Sequence, residues 1–189
     1  MGKEIVYQGI HFRVYHEDVR LTSGRSKTFE YIWRRDGTRV LAVRSDHTLL
    51  LCREFRYELN AYDWRLPGGK LDDEHEEPIV AAAREFSEET GFRALSLEPL
   101  GRTVPFATVH YGIHFFVTYN PLRGESNPEE GESIDYSWFP LTQAGSMAIS
   151  GEIREEISAL TILRFIASIL TQQRTIPSAD EANSDLHRG

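Results

Sequence analysis

Residues 84–92 read REFSEETGF, and three carboxylates, Glu85, Glu88 and Glu89, stand just ahead of Gly91. Helical spacing puts Glu85 and Glu89 one turn apart, side by side, with Glu88 close by. Arg84 lies four positions before Glu88, so it can pair with Glu88 while the other two carboxylates converge. Clustered carboxylates suit a hard divalent cation such as Mg²⁺ or Mn²⁺. The charges also sit near the end of the helix, where the macrodipole opposes each by about 0.3–1 kcal/mol. A sequence shaped only for stability would avoid that placement. Taken alone, such a run usually means a solvated acidic face, so its surroundings decide.

The elements that must position these glutamates come next. Pro67-Gly68-Gly69 in RLPGGKLDDEHEE reads as a loop. Pro78 suits the first turn of a helix over IVAAAREFSEET, with Ile79, Ala83, Phe86 and Thr90 on the apolar face and Gly91 closing it. Before the loop, EIVYQG, HFRVYHEDV, KTFEYIWRR, RVLAVRS and TLLLCREFRY read as strands. RDGT at 35–38 is predicted as a hairpin turn, with Asp36-Gly37 supplying positive φ. TLLLCREF has few polar breaks and should be central in its sheet. After the helix, ALSLEPLGRTV, IHFFVTY and IDYSWFPL continue the strands, and the polar segment 121–133 is a loop. TQAGSMAISG predicts a short helix. REEISALTILRFIASILTQQ predicts a longer one, with apolar residues at 157, 160, 163, 166, 167 and 170. One domain over 1–172 and a polar, frayed tail over 173–189 follow from this pattern.

Composition narrows the chemistry. The chain has 189 residues and a net charge of −8, which disfavours sequence-independent binding to nucleic acid. A phosphorylated small substrate stays allowed, because a bound cation reverses the local sign. The single cysteine, Cys52, lies in an apolar run and reads as a buried strand thiol. MGKEIVYQGI lacks a signal-peptide core, and no 18-residue apolar run suggests a membrane span. The expectation is a cytoplasmic protein with no membrane partner.

GGKLDDEHEEPIVAAAREFSEETGF resembles the Nudix box: Gly, five residues, Glu, seven residues, then Arg-Glu-apolar-any-Glu-Glu-any-Gly-apolar. Arg84, Glu85, Phe86, Glu88, Glu89, Gly91 and Phe92 match every fixed position of the second half. Its five polar and glycine positions would coincide by chance in about one window in a million. The first half departs: Glu76 is correctly spaced from Arg84 but one residue too far from Gly69. The resemblance implies an α/β/α sandwich around a mixed sheet, with a loop-helix-loop box and extra N-terminal strands. It implies hydrolysis of a nucleoside diphosphate linked to another group. Glu85 and Glu89 would be the main metal ligands, Glu88 would assist, and the Gly68 carbonyl would add an oxygen to the Mg²⁺ or Mn²⁺ site. Arg84 belongs to the same catalytic group.

LLLCREFRYELNAYDWRLPGGK is similar to the stretch before the box in ADP-ribose pyrophosphatases and related nucleotide-sugar hydrolases. Arg56, with Arg53 beside it, would contact phosphate. A surface ion pair with Glu58 is the competing role for Arg56. Arg65 stands where that branch commonly has an acidic residue. EEGESIDYSWFPLTQAGSMAISGEI is similar to the same branch, whose loop glutamate activates water. Glu130 matches that base best, Glu132 would lie near the metal, and Glu129 is the fallback. Tyr7, Phe29, Tyr31 and Trp33 are aromatics that could hold the base, with Trp33 the candidate substrate contact. The strands of residues 1–35 would also serve a homodimer. His110 and His114 have the spacing of a metal pair but no third ligand, so packing or substrate contact is favoured. The implied substrate is ADP-ribose or another nucleoside diphosphate sugar. The alternatives are a nucleoside triphosphate or dinucleoside polyphosphate hydrolase, and a non-catalytic ADP-ribose sensor.

Overall fold

The computed structural model describes residues 3–124, 134–178 and 181. Strands β1 (Lys3–Gln8), β2 (Arg13–Arg20) and β3 (Ser26–Trp33) form an antiparallel meander. Then come β4 (Gly37–Val43), β5 (Thr48–Arg56), β6 (Ala61–Arg65), helix α1 (Pro78–Thr90) and the two-residue β7 (Phe92–Arg93). They are followed by β8 (Glu98–Thr103), β9 (Val109–His110), β10 (Ile113–Tyr119), β11 (Leu122–Arg123) and β12 (Asp135–Pro140). Helices α2 (Leu141–Ser150) and α3 (Glu156–Leu170) complete the order.

The main sheet runs β12-β5-β4-β10-β8, with β6 also paired to β5. It is mixed, because β10 runs parallel to β4 and antiparallel to β8. The strand β4 is buried along its whole length. Side chains alternate across a strand, so each face draws on every second residue. Val40, Ala42, Leu50 and Cys52 pack with Ala82 and Phe86 of α1. Leu41, Val43, Leu49 and Leu51 pack with Met147, Ile162 and Phe165 of α2 and α3. Helices on both faces make the α/β/α sandwich, and they explain why TLLLC of β5 has few polar breaks. Burying each large apolar side chain contributes about 1.5–3 kcal/mol. Cys52 is a buried strand thiol, as expected.

The N-terminal meander is a second sheet, β1-β2-β3-β9. This overturns the hairpin expected at 35–38. β3 and β4 belong to different sheets, and Asp36-Gly37 joins them rather than turning a hairpin. Gly37 has no positive φ. The Asp36 carboxylate instead accepts the Gly112 N–H at 2.7 Å and bonds the His114 ring at 2.9 Å. Local turn chemistry lost to a long-range partner.

Both long helices also choose their faces differently. In α1 the buried residues are Ala81, Ala82, Phe86 and Thr90, whereas Ile79 is 44% exposed. In α3 they are Ser158, Ala159, Ile162 and Phe165, with Leu160 and Leu170 exposed. Each helix has more small or apolar positions than one stripe holds, so the sheet selects the side that fits. Past α3, the start of the expected polar tail is anchored: Ile176 packs on the core and Arg174 donates to Glu98 and Tyr119. No described helix is long and apolar enough to cross a membrane.

Candidate active site

Backbone geometry builds the site first. The loop after β6 runs along the start of β4: Thr38 N–H donates to the Gly69 carbonyl at 2.8 Å and Val40 N–H to Pro67 at 2.9 Å. Gly68 has φ +134°, a region closed to L side chains. A Cβ there would also strike the Thr38 carbonyl, and one on Gly69 would strike the Glu85 carboxylate. The Pro-Gly-Gly sequence therefore lets the chain pass between β4 and the α1 carboxylates.

The α1 helix carries its glutamates to that passage. Pro78 opens it and Gly91, at φ 68°, ends it with an N–H bond to the Ser87 carbonyl. Both ends are as expected. Glu89 Oε2 accepts the Gly68 N–H at 2.8 Å, and Glu85 lies against Gly69. Burial pushes the Glu89 carboxyl up to about 7, against the pull of the Gly68 N–H, Arg39 and Arg65. Burial raises Glu85 as well, against the opposing effect of Arg84. Each of the two carboxylates also lies in a field that other glutamates make more negative.

Arg84 is the hub of the remaining charges. Its Nη1 reaches Glu85 and Glu88 at 3.1 Å each, as the four-residue spacing predicted for Glu88. Its Nε reaches Glu76 and Asp72 at 3.3 Å each. Glu76, doubtful by spacing, is thus drawn in despite the longer loop. Its Oε2 accepts the Asp72 N–H at 2.6 Å, which folds the inserted residues into a compact turn.

Asp72, Arg84, Glu85, Glu88, Glu89 and the glycine passage line a cavity of about 570 Å³, together with Arg34, Arg35, Arg39, Glu54, Arg56, Arg65, Lys70 and Tyr111, whereas Glu76 faces the neighbouring cavity. Arg56 is there as expected. It also pairs with Glu58 at 2.6 Å and Glu54 at 3.2 Å, the ion pairing weighed against a phosphate contact. Arg53 is not among the lining residues; it lies over Tyr62 of β6, 4.7 Å from the ring centroid. Trp33 lies under Arg13 and borders a neighbouring acidic cavity with Asp73 to Glu77. Phe29 and Tyr31 stack on each other in the N-terminal sheet, and Tyr7 packs on Phe12 there. Tyr111, with Arg34 4.3 Å over its ring, is the aromatic among the described lining residues. The two histidines do not pair: His110 bonds Tyr15 at 2.6 Å, and His114 faces Asp36. Tyr111 and Gly112 break the strand between them. Glu129, Glu130 and Glu132 lie outside the described residues.

Sequence reasoning missed Arg39 and Glu155. Arg39 is 4% exposed, and its guanidinium forks onto Glu155 at 3.0 and 2.5 Å. A lone arginine inside the apolar strand GTRVLAV was the available signal, since a buried charge must be paired.

The donor chemistry fits a divalent cation. Among the described residues no cluster of three or more His, Cys, Asp or Glu is already gathered as a cage. The hard oxygen donors are nevertheless adjacent, and burial disfavours the ionised form of both Glu85 and Glu89. The Gly68 carbonyl accepts Arg39 Nη1 at 2.8 Å and keeps a second lone pair. A cation held there would offset that cost.

Residues 33–161 match the NUDIX domain family. Two ADP-ribose pyrophosphatases are similar along most of the chain. The one from Mycobacterium tuberculosis is 25% identical over 167 residues, covering 86% of this chain and 80% of that protein. The one from Bacillus subtilis is 27% identical over 167 residues, covering 86% and 89%. A CMP-5'-(N-acetyl-N-hydroxy-3-aminopropyl)phosphonate hydrolase from Streptomyces rubellomurinus is 28% identical over 164 residues, covering 86% and 79%. A crystal structure of an ADP compounds hydrolase shares the fold, with TM-score 0.76, 21% identity and coverage of 93% and 95%. Hydrolases of this family generally use divalent cations. With the intact glutamate helix, the glycine passage and this match together, the chain belongs to the Nudix family of hydrolases and resembles its ADP-ribose pyrophosphatase branch.

Proposed function

We propose that the chain hydrolyses the diphosphate bond of ADP-ribose or a related nucleoside diphosphate sugar. The products are a nucleoside monophosphate and a sugar phosphate, and the reaction depends on Mg²⁺, with Mn²⁺ as a substitute. The observation that carries this reading is the shared cavity. Glu85, Glu88 and Glu89 line it together with Arg56 and Arg65. A diphosphate needs both: carboxylates to hold a cation, and guanidinium groups to take phosphate oxygens bidentately.

Glu85, Glu89 and the Gly68 carbonyl would hold the cation, with Glu88 assisting. When bound, it supplies charge neutralisation and a lowered pKa for attacking water. Arg56, and Arg65 beside it, orient the phosphates. Arg84 sets the carboxylates through its contacts with Glu85 and Glu88. Glu130 is the proposed acceptor of the water proton, with Glu132 near the cation and Glu129 the alternative. Tyr111, under Arg34, offers a flat surface for the base. Ile5, Val6, Tyr7 and Ile32 of the N-terminal sheet, with Phe12 in the turn between β1 and β2, are exposed apolar side chains, and homodimer formation through this sheet accompanies the reading.

The test is a panel of ADP-ribose, other nucleoside diphosphate sugars, nucleoside triphosphates and dinucleoside polyphosphates with Mg²⁺. Nucleoside monophosphate release from a nucleoside diphosphate sugar is the expected result. Turnover confined to triphosphates or dinucleoside polyphosphates would move the chain to another branch.

A further inference from the structure

The Gly68 peptide is gripped at both ends. Its N–H is held by Glu89, and its carbonyl by Arg39 Nη1. The same Nη1 also donates to the Thr38 carbonyl at 2.8 Å, which fixes the guanidinium against β4. The other side of that guanidinium is taken by Glu155, the residue before α3, through two bonds. Glu155 is itself steered by the Ser158 hydroxyl, which also accepts the Leu66 N–H at 3.2 Å. A path of direct hydrogen bonds therefore joins the start of α3 to the glycine passage.

Glu155 serves a second guanidinium. Arg65 Nη2 reaches its Oε1 at 2.9 Å, and Arg65 Nη1 reaches Glu54 at 3.1 Å. Glu54 in turn pairs with Arg56. A buried arginine, Arg39, and a largely buried one, Arg65, thus share one carboxylate. Without it they would repel each other, and each would be desolvated without adequate compensation. Burial opposes ionisation of Glu155, but Arg39 and Arg65 overcome it and hold the carboxyl down at about 2.

We propose that Glu155 is a positioning residue for the cation and phosphate sites, acting through Arg39 on the Gly68 carbonyl and through Arg65 on the Glu54–Arg56 pair. The proposal rests on the cation-dependent reading above. It separates from a stabilising role because a bond to a ligand's own peptide alters ligand geometry, whereas a purely structural ion pair alters only the folded fraction. Removing such outer partners typically weakens metal binding about 10–100-fold.

The experiment is a Mn²⁺ titration of the substrate-free full chain, followed by electron paramagnetic resonance of free Mn²⁺. Urea unfolding is run on the same proteins. Glu155→Gln should bind Mn²⁺ about tenfold more weakly, Glu155→Asp should recover part of that loss, and Ser158→Ala should shift affinity the same way by less. If Glu155→Gln does not fold, Ser158→Ala decides alone. Parent-like Mn²⁺ affinity in the folded variants, with only stability reduced, would overturn the proposal, as would a parent that binds no Mn²⁺. Glu155-dependent Mn²⁺ binding without cleavage of any nucleoside diphosphate sugar would keep this inference and remove the substrate reading. Cleavage with Glu155-independent Mn²⁺ affinity would do the reverse.

Discussion

Glu89 carries the proposed function at the scale of a single residue. Its carboxylate is buried beside other acids, and burial pushes it up to about 7. Glu89→Gln keeps the shape and can still accept the Gly68 N–H. Its turnover with Mg²⁺ should fall about 100-fold or more, since several kcal/mol of transition-state stabilisation depend on the cation, while its urea midpoint stays near the parent's. A large stability loss with proportionate activity loss would instead assign Glu89 a structural task. Glu155 makes the opposite prediction in acid. Its folded value of about 2 lies below the unfolded value of about 4.3. The ionised group therefore stabilises the fold above the unfolded value, and that stability is lost as pH falls toward 2. Between pH 5 and 3, unfolding free energy should fall less steeply in Glu155→Gln than in the parent. Equal slopes in urea titrations across that range would contradict the ion network. At this scale the box glutamates were legible in order and spacing. Arg39 and Glu155 lie far apart in the chain and become partners only when α3 folds over β4.

At the scale of elements, the glycine passage matters most. Gly68→Ala combines a forbidden φ with a clash against β4 backbone, which cannot give way. It should cost about 1–3 kcal/mol or more. Gly24, also at positive φ but with open space around it, is the control: Gly24→Ala should cost about 1 kcal/mol. Urea unfolding of both variants compares backbone strain alone with strain plus close approach. Equal losses would show that the approach of the loop to β4 has no energetic weight. The start and end of α1 could be read directly, because proline and glycine act locally. Its buried face could not, since alanines flank the apolar positions and the sheet selects among them. The Asp36-Gly37 turn failed for the same reason: Gly112 and His114, remote in sequence, claimed the aspartate.

At the scale of the whole molecule, the N-terminal sheet stands apart from the sandwich and leaves apolar side chains in solvent. β1 is exposed along its length. If a second copy covers this sheet, Ile5→Glu with Tyr7→Glu should convert a dimer into a monomer. Light scattering on a sizing column reads that change directly, and a monomeric parent would sink the homodimer reading. The sandwich core should be insensitive to the substitution, because its two apolar clusters lie on the other sheet.

Local patterns along the chain were enough to place the helix that carries Glu85, Glu88 and Glu89, its two ends, the glycine loop before it and the strands β4 and β5. Each of those signals is local: helical spacing, a ring-locked φ, a missing Cβ, a continuous apolar run. Only the tertiary structure decided that Arg56 faces the cavity while Arg53 does not. It also settled that Glu76 reaches Arg84 across the longer loop, and that Arg39 and Arg65 share Glu155. These outcomes depend on side chains meeting across long stretches of chain, where the need to neutralise a desolvated charge selects the partner and no local pattern records it.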